Sequence, residues 1–436
     1  MTADMWDERK QNSFCSLTVH YIDEDFKLVR ATPAIKWFGN SRHTSDNIAE
    51  TLKEEIKAVT GDEDPLVVLV TDSTNNMVKT RRLLKEAEVI DQEFGCSNHK
   101  IQNSIKDAIK DTNSVGKLIA KAKKLSKHIR KSTVANNFLK AACCKSSHKF
   151  VRMKSCIDIR WNSEHDCLER LLYHQECLEY MDRKRQLDKV SESMLNREDW
   201  RVLDAVVKIL RPVKIATKVL ESETEPTINR VAETIFDVEE HLKDVESDES
   251  VPDEAKHFAK NLRKSFQRRF PNFGLDEKVV GFGNFLDPHL KGIHLDQIGR
   301  LEEYVNAVTK AISGYEAPSG DTEEEIVIEN EKLTPTEKLL RRKTYLLSEV
   351  FDVRSSGVKQ AEKEIEVYRQ LPLCPRSESI LAWWKSNADV LPRLTVFTKQ
   401  ILAIPASSSS SECLFSIVGL FDTVKLGNLK LETLET

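Results

Sequence analysis

One short apolar run constrains the fold of this chain more than any other feature of its sequence. The segment PLVVLVTD, Pro65 to Asp72, is apolar until a polar turn closes it. Such a run is typical of a β-strand that is buried on both faces, which requires helices on each side of its sheet. The apolar part, Pro65 to Val70, is too short to span a bilayer, so we expect no membrane partner. The run therefore predicts a layered α/β domain.

The flanking segments supply partners for this strand. Residues 16–22 (SLTVHYI) alternate and are rich in β-branched side chains, which predicts a half-buried strand. Residues 27–38 form a weaker, proline-interrupted partner. Apolar residues recur every four positions from Ile48 to Ile56, which predicts a helix with Ser45 or Asp46 as its N-cap. Further helices are predicted at 76–88, around 101–109, 336–350 and 362–370.

Composition favours a helix-rich protein inside the cell. Glycine is scarce, at 14 of 436 residues, and the net charge of −4 excludes a basic arm or an acidic tail as a description of the whole chain. The polar start MTADMWDERK resembles neither a secretory signal nor a transit peptide. With nine cysteines and no signal, we expect a reducing compartment and free thiols.

Several familiar motifs are absent from the sequence: a phosphate-binding GxxxxGK loop, GxGxxG, HExxH and a paired CxxC. Cys96 and His99 form half of a zinc site, and Cys143–Cys144 adds no second half at a convincing spacing. A buried thiol and a histidine with its hydrogen bonds made inside the protein describe these residues better than a zinc site does. We therefore predict no zinc site.

Two acidic residues and one basic segment are candidates for a functional site. Asp72 follows the strongest strand, where functional groups gather in α/β sheets, although capping of the next helix explains it equally well. Asp4, considered alone, is only an acidic residue near a terminus. Between Asp111 and Asp158 there is no acidic residue but there are twelve lysines and arginines, from Lys117 to Lys154. This block predicts a DNA-facing surface, with a solvated helix face as the alternative.

Several separate segments, in the same order, resemble the hAT (hobo/Activator/Tam3) transposase family and its domesticated relatives. They cover nearly the whole chain, and the most specific lies near the C-terminus. The segments are TADMWDERKQNSFCSLTVHYID, VTDSTNNMVK, CSNHKIQNSIKDAI, DIRWNSEHDCLERLL, NFLDPHLKGI, LAWWKSNADVLPRLTVFTKQILAIPASSSSSECLFS and KLGNLKLETLE.

The resemblance implies an α/β, ribonuclease-H-like fold that is interrupted by a large all-helical insertion. Residues 1–160 would be the first part of that fold and residues 161–360 the insertion. Residues 361–436 would be the dimerisation region, including the last ribonuclease-H-like helix. The protein would act in the nucleus, bind DNA and form a dimer or higher homo-oligomer through its C-terminal region.

The resemblance also assigns residues. The positions of the three catalytic, metal-binding carboxylates are Asp4, Asp72 and Glu412, which would hold Mg²⁺ or Mn²⁺ if the protein is catalytic. Two such ions about 3.5–4 Å apart activate the attacking oxygen and stabilise the leaving oxygen at phosphorus. Glu412 has a structural alternative as a first-turn acid that favours a helix dipole. The resemblance also makes Arg160 and Trp161 expected DNA-binding residues. The basic block, considered without the resemblance, adds Lys117, Lys121, Lys123, Lys124, Lys127, Arg130 and Lys131. The expected dimerisation residues are Trp383, Trp384, Leu391, Leu394, Phe397, Leu414 and Phe415.

Trp161 would stack on a flipped or hairpinned DNA end, with a core tryptophan as the alternative. The sequence departs from the family in three respects. It has no upstream BED-type zinc finger, Cys413 stands where the family has arginine, and it stops at Thr436 before the usual final helix. The missing finger puts sequence-specific DNA binding in doubt, and the early stop would weaken dimer packing. Cys413, together with a first strand that starts only three residues before Asp4, predicts weak cleavage or none. They leave three hypotheses: a cut-and-paste nucleotidyl transferase, a non-catalytic descendant that acts as an interaction module, and an unrelated helical scaffold.

Overall fold

The fold contains one mixed five-stranded sheet. The computed structural model describes residues 1–7, 13–38, 42–61, 66–156, 161–315, 357–409 and 411. The strands are β1 Thr2–Asp7, β2 Ser13–Ile22, β3 Leu28–Trp37, β4 Val68–Thr71 and β5 Gln92–Gly95. Their order in the sheet is β3-β2-β1-β4-β5. β2 runs antiparallel to both neighbours, whereas β1, β4 and β5 pair in parallel.

The apolar run forms the predicted buried strand, but a shorter one. β4 spans only Val68–Thr71, and all four residues are buried. The sequence analysis missed β5, because Gln92–Gly95 (QEFG) is short and half polar and carries no alternating signal. A strand of four residues falls below the length at which periodicity can be recognised.

Helices make up most of the described chain. Those before residue 200 are α1 Ser45–Thr60, α2 Asn75–Glu86, α3 Ser97–Asp111, α4 Asn113–Lys131, α5 Thr133–Lys145, α6 Trp161–Tyr173, α7 Gln175–Arg183 and α8, which begins at Arg197 and ends at Leu220. The later ones are α9 Arg230–Ser247, α10 Asp253–Arg269, α11 Lys278–Leu286, α12 Ile293–Gln297, α13 Leu301–Ile312, α14 Gly357–Gln370, α15 Ile380–Asn387 and α16 Pro392–Leu402. Short 3₁₀ turns occupy Asp188–Ser193 and Pro271–Gly274. The chain is therefore a helix-rich α/β protein, as its composition predicts.

The chain divides into two compact units. The sheet unit comprises Met1–Cys96, Glu221–Ala232 and Leu275–Thr436, and the helical unit comprises Ser97–Leu220 and Glu233–Gly274. These limits differ from the residues 160 and 360 expected from the resemblance, and the three domains expected there remain a prediction. None of the helices in the described ranges has the length and apolar character needed to span a bilayer.

One face of the sheet packs against α1 and α2. The apolar stripe of α1 supplies buried side chains, and α2 adds Met77 and Leu84. These helices cover Ala3 and Leu69 in one continuous apolar cluster. The side chains that α1 contributes to this cluster are Ile48, Ala49, Leu52 and Ile56. Their burial is what the four-residue spacing of apolar residues predicts.

The N-cap of α1 differs from the prediction by one residue. Thr44, not Ser45 or Asp46, adopts the extended cap conformation, and its side chain accepts a hydrogen bond from the Asn47 backbone N–H. Ser45 is instead the first helical residue and is buried. Any of the three residue types can cap a helix, so sequence alone does not decide between adjacent positions.

The helical unit corrects the expectation that all cysteines are free. Cys156 and Cys167 form a disulfide, with their Cα atoms 5.7 Å apart. Six other cysteines of the described chain are free thiols. The pairing could not be read from the sequence, because cysteine spacing alone does not bring two thiols together. The predicted helix at 336–350 and the acidic stretch at 321–331 lie outside the described residues.

Candidate functional site

The sheet brings Asp4 and Asp72 together. β1 and β4 are parallel neighbours, and Thr2 pairs with Val70. Asp4 lies two residues beyond Thr2, and Asp72 lies two residues beyond Val70, one residue past the end of β4. A parallel register continued over these two residues, with neighbouring strands about 4.8 Å apart, would set both carboxylates near each other on one face. Both residues are partly exposed.

Each aspartate also makes a local hydrogen bond. Asp4 Oδ1 accepts from the Met5 backbone N–H at 2.8 Å. Asp72 Oδ1 accepts from the Thr74 backbone N–H at 3.0 Å and from the Thr74 hydroxyl at 2.8 Å. Asp72 therefore shapes the turn before α2, where Thr74 is the N-cap residue. Capping of the next helix, the structural alternative for Asp72, therefore describes part of its role. Both of these hydrogen bonds go to the same carboxylate oxygen, Oδ1.

Arg81 fixes the backbone at the end of β4. Its guanidinium donates to the carbonyl oxygens of Thr71, at 3.3 Å, and Asp72, at 2.8 Å. It also forms an ion pair with Glu93 at 3.5 Å. Burial lowers the pKa of Arg81, and Glu93 and Asp72 oppose that shift. Sequence analysis missed Arg81, although an arginine one helical turn after Met77 on the apolar face of α2 was a usable signal.

The segment that leads to Glu412 lies on the same face of the sheet. The hydroxyls of Thr2 and Ser411 are 3.1 Å apart, and both residues are fully buried. Thr2 precedes Asp4 by two residues, so it shares that strand face. The residue before Glu412 is thus anchored next to the strand that carries Asp4. Glu412 and Cys413 lie outside the described residues.

His20 borders the same buried contact. Its Nε2 is 3.4 Å from the Thr2 hydroxyl. Burial lowers the pKa of His20 to about 3, and nearby positive charge, including that of Arg30, adds to the shift. His20 is therefore a neutral imidazole at physiological pH and adds no positive charge beside the carboxylates.

Three lysines of the basic block form ion pairs with acids: Lys154, which pairs with Asp166 at 2.5 Å, and two lysines of α4. They correct the expectation that the block lacks compensating acids. Lys121 Nζ is 2.7 Å from Asp199 Oδ2. Lys123 Nζ is 3.4 Å from Glu164 Oε2. All three acids come from later helices of the same helical unit, so the absence of Asp and Glu along the segment does not leave these lysines unpaired in the fold.

The other cations of α4 retain an uncompensated surface. No described acidic side chain forms an ion pair with Lys124, Lys127, Arg130 or Lys131. Together with three neighbours they line a recess of about 340 Å³, and the neighbours are Lys123, Lys154 and Cys156. A concave surface lined by one sign of charge concentrates counter-ions of the opposite sign. Lys117 is exposed on the same helix but is not among the lining residues.

Trp161 lies in the interior of the helical unit. It begins α6, is 7% exposed and packs edge-on against His165, with ring centroids 6.3 Å apart. A ring that is covered in this way offers no free face to a base. The structure therefore favours the core alternative for Trp161. Arg160 lies outside the described residues.

The described members of the expected dimerisation surface are buried within their own chain, which corrects the view that they face a partner. Trp384 is fully buried, donates its Nε1–H to the Leu286 carbonyl at 3.1 Å and stacks on Tyr368 at 5.3 Å. The others are at most 8% exposed: Trp383, Leu391, Leu394 and Phe397. Their size and spacing indicate burial, but the sequence does not say what covers them. Leu414 and Phe415 lie outside the described residues.

Comparison with known proteins identifies the class of this chain. Residues 364–422 match the family model of the hAT family C-terminal dimerisation region. The Hobo transposase of a transposable element of Drosophila melanogaster is 24% identical over 452 residues, covering 94% of this chain and 65% of its own length. A protein of Zea mays described as an AC transposase is 21% identical over 444 residues, covering 96% of this chain and 53% of its own. The zinc finger BED domain-containing protein RICESLEEPER 3 of Oryza sativa subsp. japonica is 24% identical over 442 residues, covering 94% and 56%.

These matches make the chain similar to transposases. Two findings support a similarity to the hAT family: the dimerisation region at residues 364–422, and the transposases that match almost the whole chain. The chain spans between 53% and 65% of the length of these relatives.

Proposed function

We propose that this chain is a nuclear, DNA-binding and self-associating protein of the hAT transposase type. In this proposal the sheet unit is ribonuclease-H-like, and Asp4, Asp72 and Glu412 hold two Mg²⁺ or Mn²⁺ ions. The observation that carries the proposal is the register of β1 on β4, since it sets two carboxylates from distant parts of the sequence on one face. The contact between Thr2 and Ser411 supports the third position, because it fixes the residue just before Glu412.

The residues present suit hard divalent cations. Asp4 and Asp72 offer carboxylate oxygens at a partly exposed edge, where substrate phosphate and water complete an octahedral shell. Bound metal would supply Lewis-acid stabilisation of charge at phosphorus. Arg81 holds the backbone that positions Asp72, and neutral His20 adds no positive charge beside the carboxylates.

Metal binding tests the carboxylate site directly. We expect Mn²⁺ titration calorimetry of the full chain to show binding that D72N and E412Q weaken at least tenfold, because each removes the charge of a ligand but keeps its size. D46N is the control, since Asp46 is an exposed acid of α1. Equal affinity in wild type and both variants would contradict the proposed site.

Cleavage of labelled DNA then separates the two forms of the hypothesis. Metal-dependent cleavage that D72N and E412Q abolish supports a nucleotidyl transferase. Metal binding without cleavage supports the non-catalytic descendant, and the replacement of a bidentate arginine by Cys413 gives a physical reason to expect this outcome.

The basic recess is the proposed DNA contact in the helical unit. Reversing three exposed lysines, in K124E/K127E/K131E, should weaken binding to all sequences alike and lower the slope of log affinity against log salt by about 2–3, because each duplex phosphate contact contributes about 0.9. The control K106E/K110E/K260E makes the same charge change on exposed lysines of the same unit. Equal losses in both triple variants would show that net charge, not the recess, drives binding.

A further inference from the structure

Three metal-ligating side chains meet inside the helical unit, away from the carboxylates. Cys143 lies in α5, Cys177 lies in α7, and His174 is the residue between α6 and α7. The two Sγ atoms and a ring nitrogen of His174 all lie within 4.8 Å of one another. Cys143 and His174 are fully inaccessible to solvent, and Cys177 is 1% exposed. Two sulfurs and an imidazole in a closed pocket are the donors of a structural zinc site.

The orientation of His174 is that of a metal ligand. Its Nε2 is 2.7 Å from the Val151 carbonyl oxygen, and a carbonyl can only accept a hydrogen bond. Nε2 therefore carries the proton and donates. In the neutral ring this leaves Nδ1 as an acceptor that faces the Cys143 sulfur at 3.6 Å, so its lone pair points at a second candidate ligand. A second ring nitrogen anchored on a backbone carbonyl is the usual arrangement of zinc-bound histidines.

His148 lies next to these three residues and is the candidate for a fourth donor. Its backbone N–H donates to the Cys143 carbonyl at 2.9 Å, and its ring centroid is 5.3 Å from that of His174. The Nε2 of His148 is buried and has no hydrogen-bond partner among the described residues. Buried polar atoms rarely lack a partner, so an orphan nitrogen next to three ligands calls for an explanation. Rotation of the His148 side chain towards the two sulfurs would complete a tetrahedral Cys₂His₂ set.

A second cluster provides a contrast. His165, Asp166 and Glu169 also lie within ligand distance of one another. Lys214 occupies the centre of that group: it pairs with Asp166 and approaches His165 Nδ1 at 3.4 Å. A lysine already supplies the positive charge there. No described lysine or arginine forms an ion pair or hydrogen bond with the sulfurs of Cys143 and Cys177.

We propose that Cys143, His148, His174 and Cys177 form a structural zinc site that ties α5 to α7. The spacing is Cys-x₄-His followed by His-x₂-Cys. The sequence analysis did not predict zinc here because it searched for the partner of Cys143 among adjacent cysteine pairs. The site is separate from the proposed Mg²⁺ or Mn²⁺ site and does not depend on it.

Metal content of the purified full chain tests the proposal. With a reductant present, we expect one zinc per chain after dialysis, by mass spectrometry of the metal. C143S and C177S should lose it. C144S and C96S should keep it, because Cys144 is exposed and Cys96 lies in the sheet unit. Zinc-free wild type, or zinc retained by both C143S and C177S, would overturn the site.

Cobalt substitution tests the wild-type ligand set without relying on variants that fail to fold. We expect tetrahedral d–d bands and a thiolate-to-cobalt charge-transfer band of two-sulfur intensity when Co²⁺ replaces zinc. H148Q should weaken Co²⁺ binding at least tenfold, and unchanged affinity would overturn the four-ligand assignment. A Cys143–Cys177 disulfide, found by peptide mapping of protein kept under reductant, would overturn the whole proposal.

Discussion

Glu364 shows how a single buried carboxylate links two helices of the dimerisation region. It belongs to α14, is 1% exposed, and its Oε2 accepts the Leu394 backbone N–H at 2.9 Å in the first turn of α16. The Arg393 guanidinium is 3.8 Å away and only partly offsets desolvation. Burial therefore raises the pKa of Glu364 to about 7.

This shift predicts a pH dependence of stability. The unfolded glutamate ionises near 4.5, whereas the folded one stays protonated to about pH 7. Its contribution to the free energy of unfolding is therefore fully present below the unfolded pKa and is lost as pH rises through about 7. We expect E364Q to remove about 3 kcal/mol of this pH-dependent change, because one pKa unit corresponds to about 1.4 kcal/mol. Urea denaturation from about pH 4 to about pH 8 measures it.

The control for this prediction is E362Q. Glu362 is an exposed residue of the same helix. Its stability curve should run parallel to that of the wild type. If E364Q also runs parallel to the wild type over this pH range, the elevated pKa is contradicted.

Individual residues mark the limit of what the sequence could predict about the site. Asp72 was predicted as a site residue because it ends a recognisable strand. Asp4 and Glu412 were predicted only through resemblance, since nothing local distinguishes them. Trp384 was predicted to belong to the dimerisation surface. Its cover, Tyr368 and Leu286, lies elsewhere in the sequence, and so a core residue was assigned to a partner-facing surface.

At the scale of elements, periodic segments were predictable and their ends were not. α1 follows from its four-residue spacing, but its cap moved from Ser45 or Asp46 to Thr44. β4 was predicted from its apolar run, whereas β5 was missed because its residues carry no strand pattern. The ends of elements depend on hydrogen bonds worth about 1 kcal/mol each, whereas their centres depend on many buried contacts.

The cap itself gives a prediction. We expect T44A to lower the free energy of unfolding by about 1 kcal/mol, because it removes the acceptor for the Asn47 N–H. S379A is the matched control: Ser379 is the N-cap residue of α15, but its side chain makes no capping hydrogen bond. Chemical denaturation should show that the free energies of unfolding of the two variants differ by most of this 1 kcal/mol, which is about the value of one cap. A larger loss in S379A than in T44A would contradict the assigned caps.

At the scale of the whole molecule, each unit is assembled from segments that are not contiguous. The sheet unit draws on three stretches of the chain and the helical unit on two. The contiguous boundaries 1–160 and 161–360 were expected from the resemblance, because its segments follow one another along the chain. Contacts such as that between Thr2 and Ser411 are set by tertiary packing and leave no local signature.

Separate cores predict separate losses of stability. Trp384 is buried in the sheet unit and Phe258 in the helical unit. Each replacement by alanine should cost about 3–5 kcal/mol. Under native conditions, hydrogen exchange should lose protection mainly in the unit that carries the substitution. Equal loss of protection in both units from either variant would show that they unfold together.

The contact between Thr2 and Ser411 also has a consequence for biosynthesis. Thr2 and the serine that packs on it are 409 residues apart, so β1 leaves the ribosome long before Ser411 is translated. Loops of this length close slowly and only after the intervening chain exists. A nascent chain can therefore complete the helical unit before Ser411 packs on β1.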